Sequence, residues 1–290
     1  METRSHRLDA GILEHRPMRF LRLLPITVLS VLLTACGPGD RARLALPELT
    51  RVAPGELRYL PPGQTLRNGY PETPAPVLAR HAHGFAIMTR QVSQAEYAGC
   101  VAAGGCKPLD AAQRKASASD RPAVGISWTD AVAYAAWLSA RTGQRFRLPT
   151  YAEWVYAAGD AYREEALTDF PDRVDPAQRW LAEYELESRR GAGVDVEVRP
   201  FGAFGINRAG LKDMAGSVWD WTSDCYVRRE LTGALADAVQ KDAGANCGIR
   251  VAAGRHIAYL PDFIRDPKSG ARSVGVPPSN LGLRLVMDAG

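Results

Sequence analysis

Five cysteines carry most of the reactive chemistry in this 290-residue chain. The first, Cys36, closes the run Leu33-Thr34-Ala35-Cys36-Gly37: a branched residue, two small ones, then a cysteine. Signal peptidase II cuts before such a cysteine, whose sulfur has by then received a diacylglyceryl group. The uncharged stretch from Leu23 to Ala35, preceded by Arg19 and Arg22, is too short for a spanning helix and suits the apolar core of a signal peptide. Met18 begins a better-proportioned signal than Met1 does. Residues 1–35 are therefore expected to be a lipoprotein signal peptide and Cys36 the lipid-bearing N-terminus. Gly37 rather than Asp after the cysteine favours the outer membrane, facing the periplasm.

The other four, Cys100, Cys106, Cys225 and Cys247, are an even set in an oxidising compartment and allow three connectivities. The pairing adopted is Cys100 with Cys106, across a helix end and turn, and Cys225 with Cys247. A zinc site is disfavoured because no CxxC pair occurs. Of five histidines, His6 and His15 leave with the signal. His81-Ala82-His83 reads as two surface histidines, and neither they nor His256 stand in a hydrolase motif.

The elements that would position such groups are mixed. A hydroxyl residue with a carboxylate three positions on lets both side chains satisfy first-turn backbone N–H groups. This spacing occurs at Ser93 with Glu96, Ser127 with Asp130 and Thr150 with Glu153, predicting three helix starts. In the second helix Val132, Ala135, Ala136 and Ser139 mark a stripe, Tyr134, Trp137 and Leu138 widen it, and Gly143 supplies the stop. Phe85-Ala86-Ile87-Met88 and Leu283-Arg284-Leu285-Val286 read as strands. Glu197-Val198-Arg199 and Ile249-Arg250-Val251 are too short to assign. Eight prolines in residues 37–76 suggest a tether and irregular lead-in over 36–76, leaving 77–290 as the domain. The charge balance of 36 basic to 32 acidic residues gives +4, or +2 once the signal is gone. With no basic stripe carrying interleaved aromatics, nucleic acid is excluded as a partner.

Five segments in order resemble the formylglycine-generating enzyme, or sulfatase-modifying factor, family. His83 to Tyr97 is similar to its opening F-x-I-x-x-x-E-V-T-N-x-x-Y, and Ile126 to Trp137 to its V-S-W-x-D-A-x-A-Y-x-x-W. Arg147-Leu148-Pro149-Thr150-Tyr151-Ala152-Glu153-Trp154 resembles R-L-P-T-E-A-E-W. Asn207 with Gly210 to Trp221 resembles N-x-x-G-L-Y-D-M-x-G-N-V-W-E-W, and Asn280 to Leu285 the closing N-x-G-F-R. The resemblance covers about residues 83–287 and implies an irregular, loop-rich α+β fold related to C-type lectins. Most of these residues also have structural roles open to them: Trp137 and Trp154 as core, Arg147 and Arg284 as buried ion-pair partners.

The resemblance further implies a structural calcium held by Asp213, the carbonyls of Gly216 and Val218, and Asp220, with Asp220 one methylene shorter than the family's Glu. The family's enzymes oxidise a sulfatase cysteine with copper held by two cysteines between an R-G-G-S-W motif and the closing G-F-R. Here the interval from Ala252 to Arg284 contains no cysteine, which speaks against copper. A histidine iron site, as in sulfoxide synthases of this fold, would need His81, His83 and His256 to converge. The remaining candidate ligand pocket is Arg255, His256 and Arg272. The expectation is a lipid-anchored, non-catalytic binding or accessory module with a protein partner; the alternative is a formylglycine-generating oxidase or a related metal-dependent enzyme. Cys36→Ala should abolish acyl labelling and membrane partitioning, since several acyl chains hold a lipoprotein far more firmly than one. Full partitioning of that variant with acyl label would refute the anchor.

Overall fold

The computed structural model describes residues 43–68, 70–114, 116–162, 178, 181, 185, 196–232, 239–267 and 278–288. The signal segment and Cys36 lie outside the described residues. Each of the three helix starts forms as its spacing dictates. In α1 (Gln94–Ala102), α2 (Trp128–Thr142) and α3 (Tyr151–Ala158), the side chains of Ser93, Ser127 and Thr150 accept from the N–H of Glu96, Asp130 and Glu153. Those carboxylates in turn accept from the N–H of the capping residue. The capping carboxylates have a second duty that local spacing does not reveal. Glu96 is clamped by both terminal nitrogens of Arg90 at 2.9 and 3.0 Å. Asp130 is held by Arg265 at 2.8 Å through Nε and Nη2, and Glu153 by Arg147 at 2.7 Å through Nη1 and Nη2. Planar guanidinium forks match carboxylates bidentately. Arg265 ties α2 to a distant loop, while Arg90 and Arg147, each six residues from its carboxylate, carry the link on to the Phe201 ring and to Asp288.

The buried face of α2 is Ala131, Tyr134, Ala135, Leu138 and Thr142, while Val132 is exposed. The expected stripe is thus displaced by one residue, because Ala131 and Tyr134 pack toward α1, where Tyr97 stacks on Tyr134 at 6.0 Å. Gly143 ends the helix at φ 72°, a left-handed conformation that glycine takes without strain.

In chain order the strands are β1 (Leu49–Val52), β2 (Gly55–Tyr59), β3 (Gln64–Arg67), β4 (Tyr70–Glu72), β5 (Val77–His81), β6 (Phe85–Met88), β7 (Phe146–Arg147), β8 (Trp219–Thr232), β9 (Val239–Ala253), β10 (Ile257–Pro261), β11 (Leu281–Gly282) and β12 (Val286–Met287). One sheet runs β1-β6-β12-β7 and a second β10-β9-β8-β3-β4, with β11 parallel to β8; β2 and β5 pair separately. The segment expected to be an irregular lead-in therefore supplies β1 to β4. Its strands are short, Pro54, Pro61 and Pro62 fall between them, and Pro71 sits in the edge strand β4, where a missing N–H is tolerated.

The hairpin of β8 and β9 is the second departure. Asp220 and Trp221 pair with Ala253 and Ala252, but the next partner of β9 Arg250 is Cys225, so Thr222 to Asp224 bulge outward. The bulge serves α3: Pro149 O accepts from Ser223 N–H, and Asp224 accepts from the Tyr151 N–H at 2.7 Å. Such interruptions erase the two-residue alternation by which strands are recognised. Cys225–Cys247 staples the hairpin and Cys100–Cys106 the end of α1, as paired from the sequence.

The expected strand at Leu283 to Val286 is split, with Leu283 to Leu285 between β11 and β12. Two clusters form the core, one joining α1 and α2 to Trp219, Trp221 and Leu281, the other joining α3 to Leu211, Met214, Val251 and Val286. No helix among the described residues is long and apolar enough to cross a membrane.

Burial by itself would raise the carboxyl groups of Glu96, Asp130 and Glu153, yet their arginines and capping bonds hold all three below ordinary values. A depressed folded-state value stabilises above the unfolded value, 4.5 for Glu and 3.8 for Asp, and the contribution disappears as pH falls through the folded one. The melting temperature should therefore fall as the pH is lowered from about 6 to about 3, with a smaller fall in Glu153→Gln. Identical acid profiles for the two proteins would contradict this assignment.

Candidate functional site

The Gly210–Trp221 motif opens on Leu211, which is buried, and Asp213, whose φ of 57° is one that Asp and Asn tolerate better than most residues. The Asp213 carboxylate accepts from the N–H of Gly202 at 2.6 Å and of Phe204 at 2.8 Å. Its carbonyl accepts from Gly216 N–H. Arg255 lies across the turn, Nε donating to the carbonyls of Ala215 at 3.2 Å and Gly216 at 3.3 Å. Asn280 Nδ2 donates to the Ser217 carbonyl. Asp213, Gly216 and Val218, with Gln91 and Arg199 among their neighbours, line a void of about 10 Å³. Gln91 Oε1 is buried there without a hydrogen-bond partner.

Asp220, the fourth expected calcium ligand, is not among the residues lining that void. It is 1% exposed, and its Oδ2 accepts from Trp154 Nε1 at 3.0 Å and from Arg284 Nε at 2.7 Å. Arg284 is itself 0% exposed and donates through Nη2 to the Lys212 carbonyl at 2.9 Å. Asp220 Oδ1 and Arg284 Nη1 have no hydrogen-bond partner among the described residues. Three more indoles serve the same stretch. Trp221 donates to the Ile126 carbonyl, Trp128 to that of Thr222, and Trp219 to that of His256. Gly254 faces the Trp219 ring so closely that a Cβ there would stand 2.6 Å from it. Asn207 joins the preceding loop to α3, donating to the carbonyls of Ala157 and Ala158 and accepting from Leu211 N–H.

Two members of the candidate ligand pocket can be placed. Arg255 is occupied by the 213–218 turn, and the His256 ring meets Trp219 edge-on at 5.0 Å. Arg272 lies outside the described residues. His83 is exposed as expected, whereas His81 is half-buried: it stacks on Tyr156 at 4.6 Å, its Nε2 is buried without a partner among the described residues, and burial lowers its pKa. The sequence signal His81-Ala82-His83 instead marks one wall of an open cleft of about 220 Å³, with Arg147, Glu153 and Asp288 opposite. Arg147 bridges both carboxylates, meeting Asp288 at 2.7 Å. Sequence reasoning missed this cleft and also the Arg265 clamp, since neither partner's spacing points to the other. Among the described residues no group of three or more His, Cys, Asp or Glu is placed to hold a metal ion.

Removing one partner of a buried pair leaves a charge uncompensated, whereas removing both can be close to neutral. In urea unfolding, Arg284→Met should cost about 3–5 kcal/mol, and the double variant Arg284→Met with Asp220→Leu should recover much of that. A single-variant cost at the surface level, within about 0.5 kcal/mol, would contradict the central place given to this pair.

Comparison with known proteins agrees with the motifs. The family described as sulfatase-modifying factor enzyme 1-like domain matches residues 37–289. The formylglycine-generating enzyme of Streptomyces coelicolor is 32% identical over 181 residues, 59% of this chain and 54% of the relative. The inactive C-alpha-formylglycine-generating enzyme 2 of Mus musculus is 32% identical over 178 residues, 58% of this chain and 50% of the relative. The chain thus spans about half the length of the curated relatives it matches. Among solved structures, PvdO from Pseudomonas aeruginosa superimposes with a TM-score of 0.53 at 20% identity, over 84% of this chain and 95% of PvdO. That likeness concerns the fold, and the expected loop-rich α+β architecture is the one observed.

Proposed function

The chain belongs to the sulfatase-modifying factor family, and from that membership we propose that it is a lipid-anchored, periplasm-facing protein using this domain as a non-catalytic binding or accessory module for a protein partner. The observation that carries the reading is the state of the sulfur. Apart from Cys36, every cysteine is in a disulfide, on the α1 end or on the β8–β9 hairpin, and none lies between Ala252 and Arg284. Soft Cu(I) requires thiolates, and a disulfide sulfur is a poor substitute. The motif residues shared with the family's enzymes act here as joints: Arg147 on α3, Asn207 on the end of α3, Asn280 on the turn, Arg284 on Asp220.

The enzymatic reading is supported by the identity to formylglycine-generating enzymes such as that of Streptomyces coelicolor, which stands level with the identity to the inactive mouse protein. Incubating the mature protein with copper, oxygen and a sulfatase-type cysteine peptide separates the two. No aldehyde product is expected by mass spectrometry; catalytic formation of formylglycine would overturn the proposal.

A further inference from the structure

We infer that the 213–220 turn is held by two guanidinium groups where the family resemblance implies a calcium ion, so that this domain folds without the metal. Calcium is bound by six to eight oxygens, several of them anionic, that turn toward one point. The four expected ligands here do not converge in that way. Both Asp213 oxygens already accept short backbone bonds from Gly202 and Phe204. The Gly216 carbonyl takes the Arg255 Nε–H, and Asp220 is turned toward Arg284 and Trp154. Asp213 is left as the one carboxylate on the void, with Arg199 on its wall and Arg255 on the adjoining carbonyls. A divalent cation would enter beside positive charge and would have to displace bonds already made.

The guanidinium groups supply what the ion would have supplied. Arg255 satisfies two carbonyls of the turn at once, and Arg284 neutralises Asp220 while tying it to the Lys212 carbonyl on the opposite side of Asp213 in the chain. A guanidinium is always charged and less strongly hydrated than an ammonium, which suits it to buried pairing. The void lined by Gln91 and Asp213 measures about 10 Å³, which leaves little room for a cation with its own water ligands.

The test is thermal unfolding of the mature protein in EGTA and across a calcium chloride titration, with magnesium chloride at matched ionic strength. Under the inference the melting temperature is the same in EGTA and in millimolar calcium. Arg255→Met, which keeps much of the apolar stem but removes the donors and the charge, melts a few degrees lower in EGTA. A saturable rise with calcium in the unaltered protein, absent with magnesium and abolished by Asp213→Asn, would overturn the inference. So would an Arg255→Met protein that melts like the parent. Should Arg255→Met fail to fold, the calcium titration of the unaltered protein still decides the matter.

Discussion

Taking the Arg284 guanidinium and the Asp220 carboxylate fully out of water is expensive, and that expense organises much of this fold. Two buried charges are tolerable when each faces the other at hydrogen-bond distance and further hydrogen bonds offset part of the desolvation cost. Asp220 lies on β8, in the sheet that includes the long hairpin, and the Oδ2 that takes the Arg284 Nε–H also accepts from an indole of α3. Arg284 sits on the chain between β11, which pairs with β8, and β12, which pairs with β6 and β7. To deliver the guanidinium inward, the chain leaves one sheet and enters the other across Leu283 to Leu285. The pair therefore fixes where the two sheets and α3 meet, and its contribution lies in specifying that one arrangement.

The same chemistry recurs around the periphery at lower cost. Arg90, Arg265 and Arg147 each fork onto the carboxylate that closes a helix cap, so a local device for starting a helix also becomes a tertiary joint. Capping boxes satisfy orphan N–H groups whatever surrounds them. The arginines decide what those helix starts are attached to: the 265 loop for α2, and the C-terminal Asp288 through Arg147 for α3. A domain with many short strands and long loops gains definition from such clamps, because regular sheet ladders cover little of it.

This division explains what could be read from the sequence. The caps at Ser93, Ser127 and Thr150 were legible because both members of each lie three residues apart, and the two disulfides because four cysteines besides Cys36 allow few pairings. Helix α2 was legible in extent but not in facing, since Ala131 and Ala136 differ only in what they touch. The β8–β9 hairpin and the lead-in strands were not legible, because a three-residue bulge at Thr222 to Asp224 and the prolines between short strands remove the alternation on which recognition depends. The partners of Arg284, Arg265 and Arg255 stand 64, 135 and 39–40 residues away, beyond any local pattern. For the same reason the expected calcium ligands looked convergent along the chain, while in space Asp220 is claimed by an arginine.

This family fold balances its interior charges with its own arginines and closes Cys100, Cys106, Cys225 and Cys247 into disulfides, the basis of the non-catalytic role proposed for it. The direct measurement is the elemental content of the protein purified from its own cells in mild detergent without chelators, by inductively coupled plasma mass spectrometry on the homogeneous peak. The account predicts that copper, iron and calcium are all substoichiometric. One equivalent of copper or iron retained through purification would contradict the non-catalytic reading, and one equivalent of calcium would contradict the guanidinium-held turn.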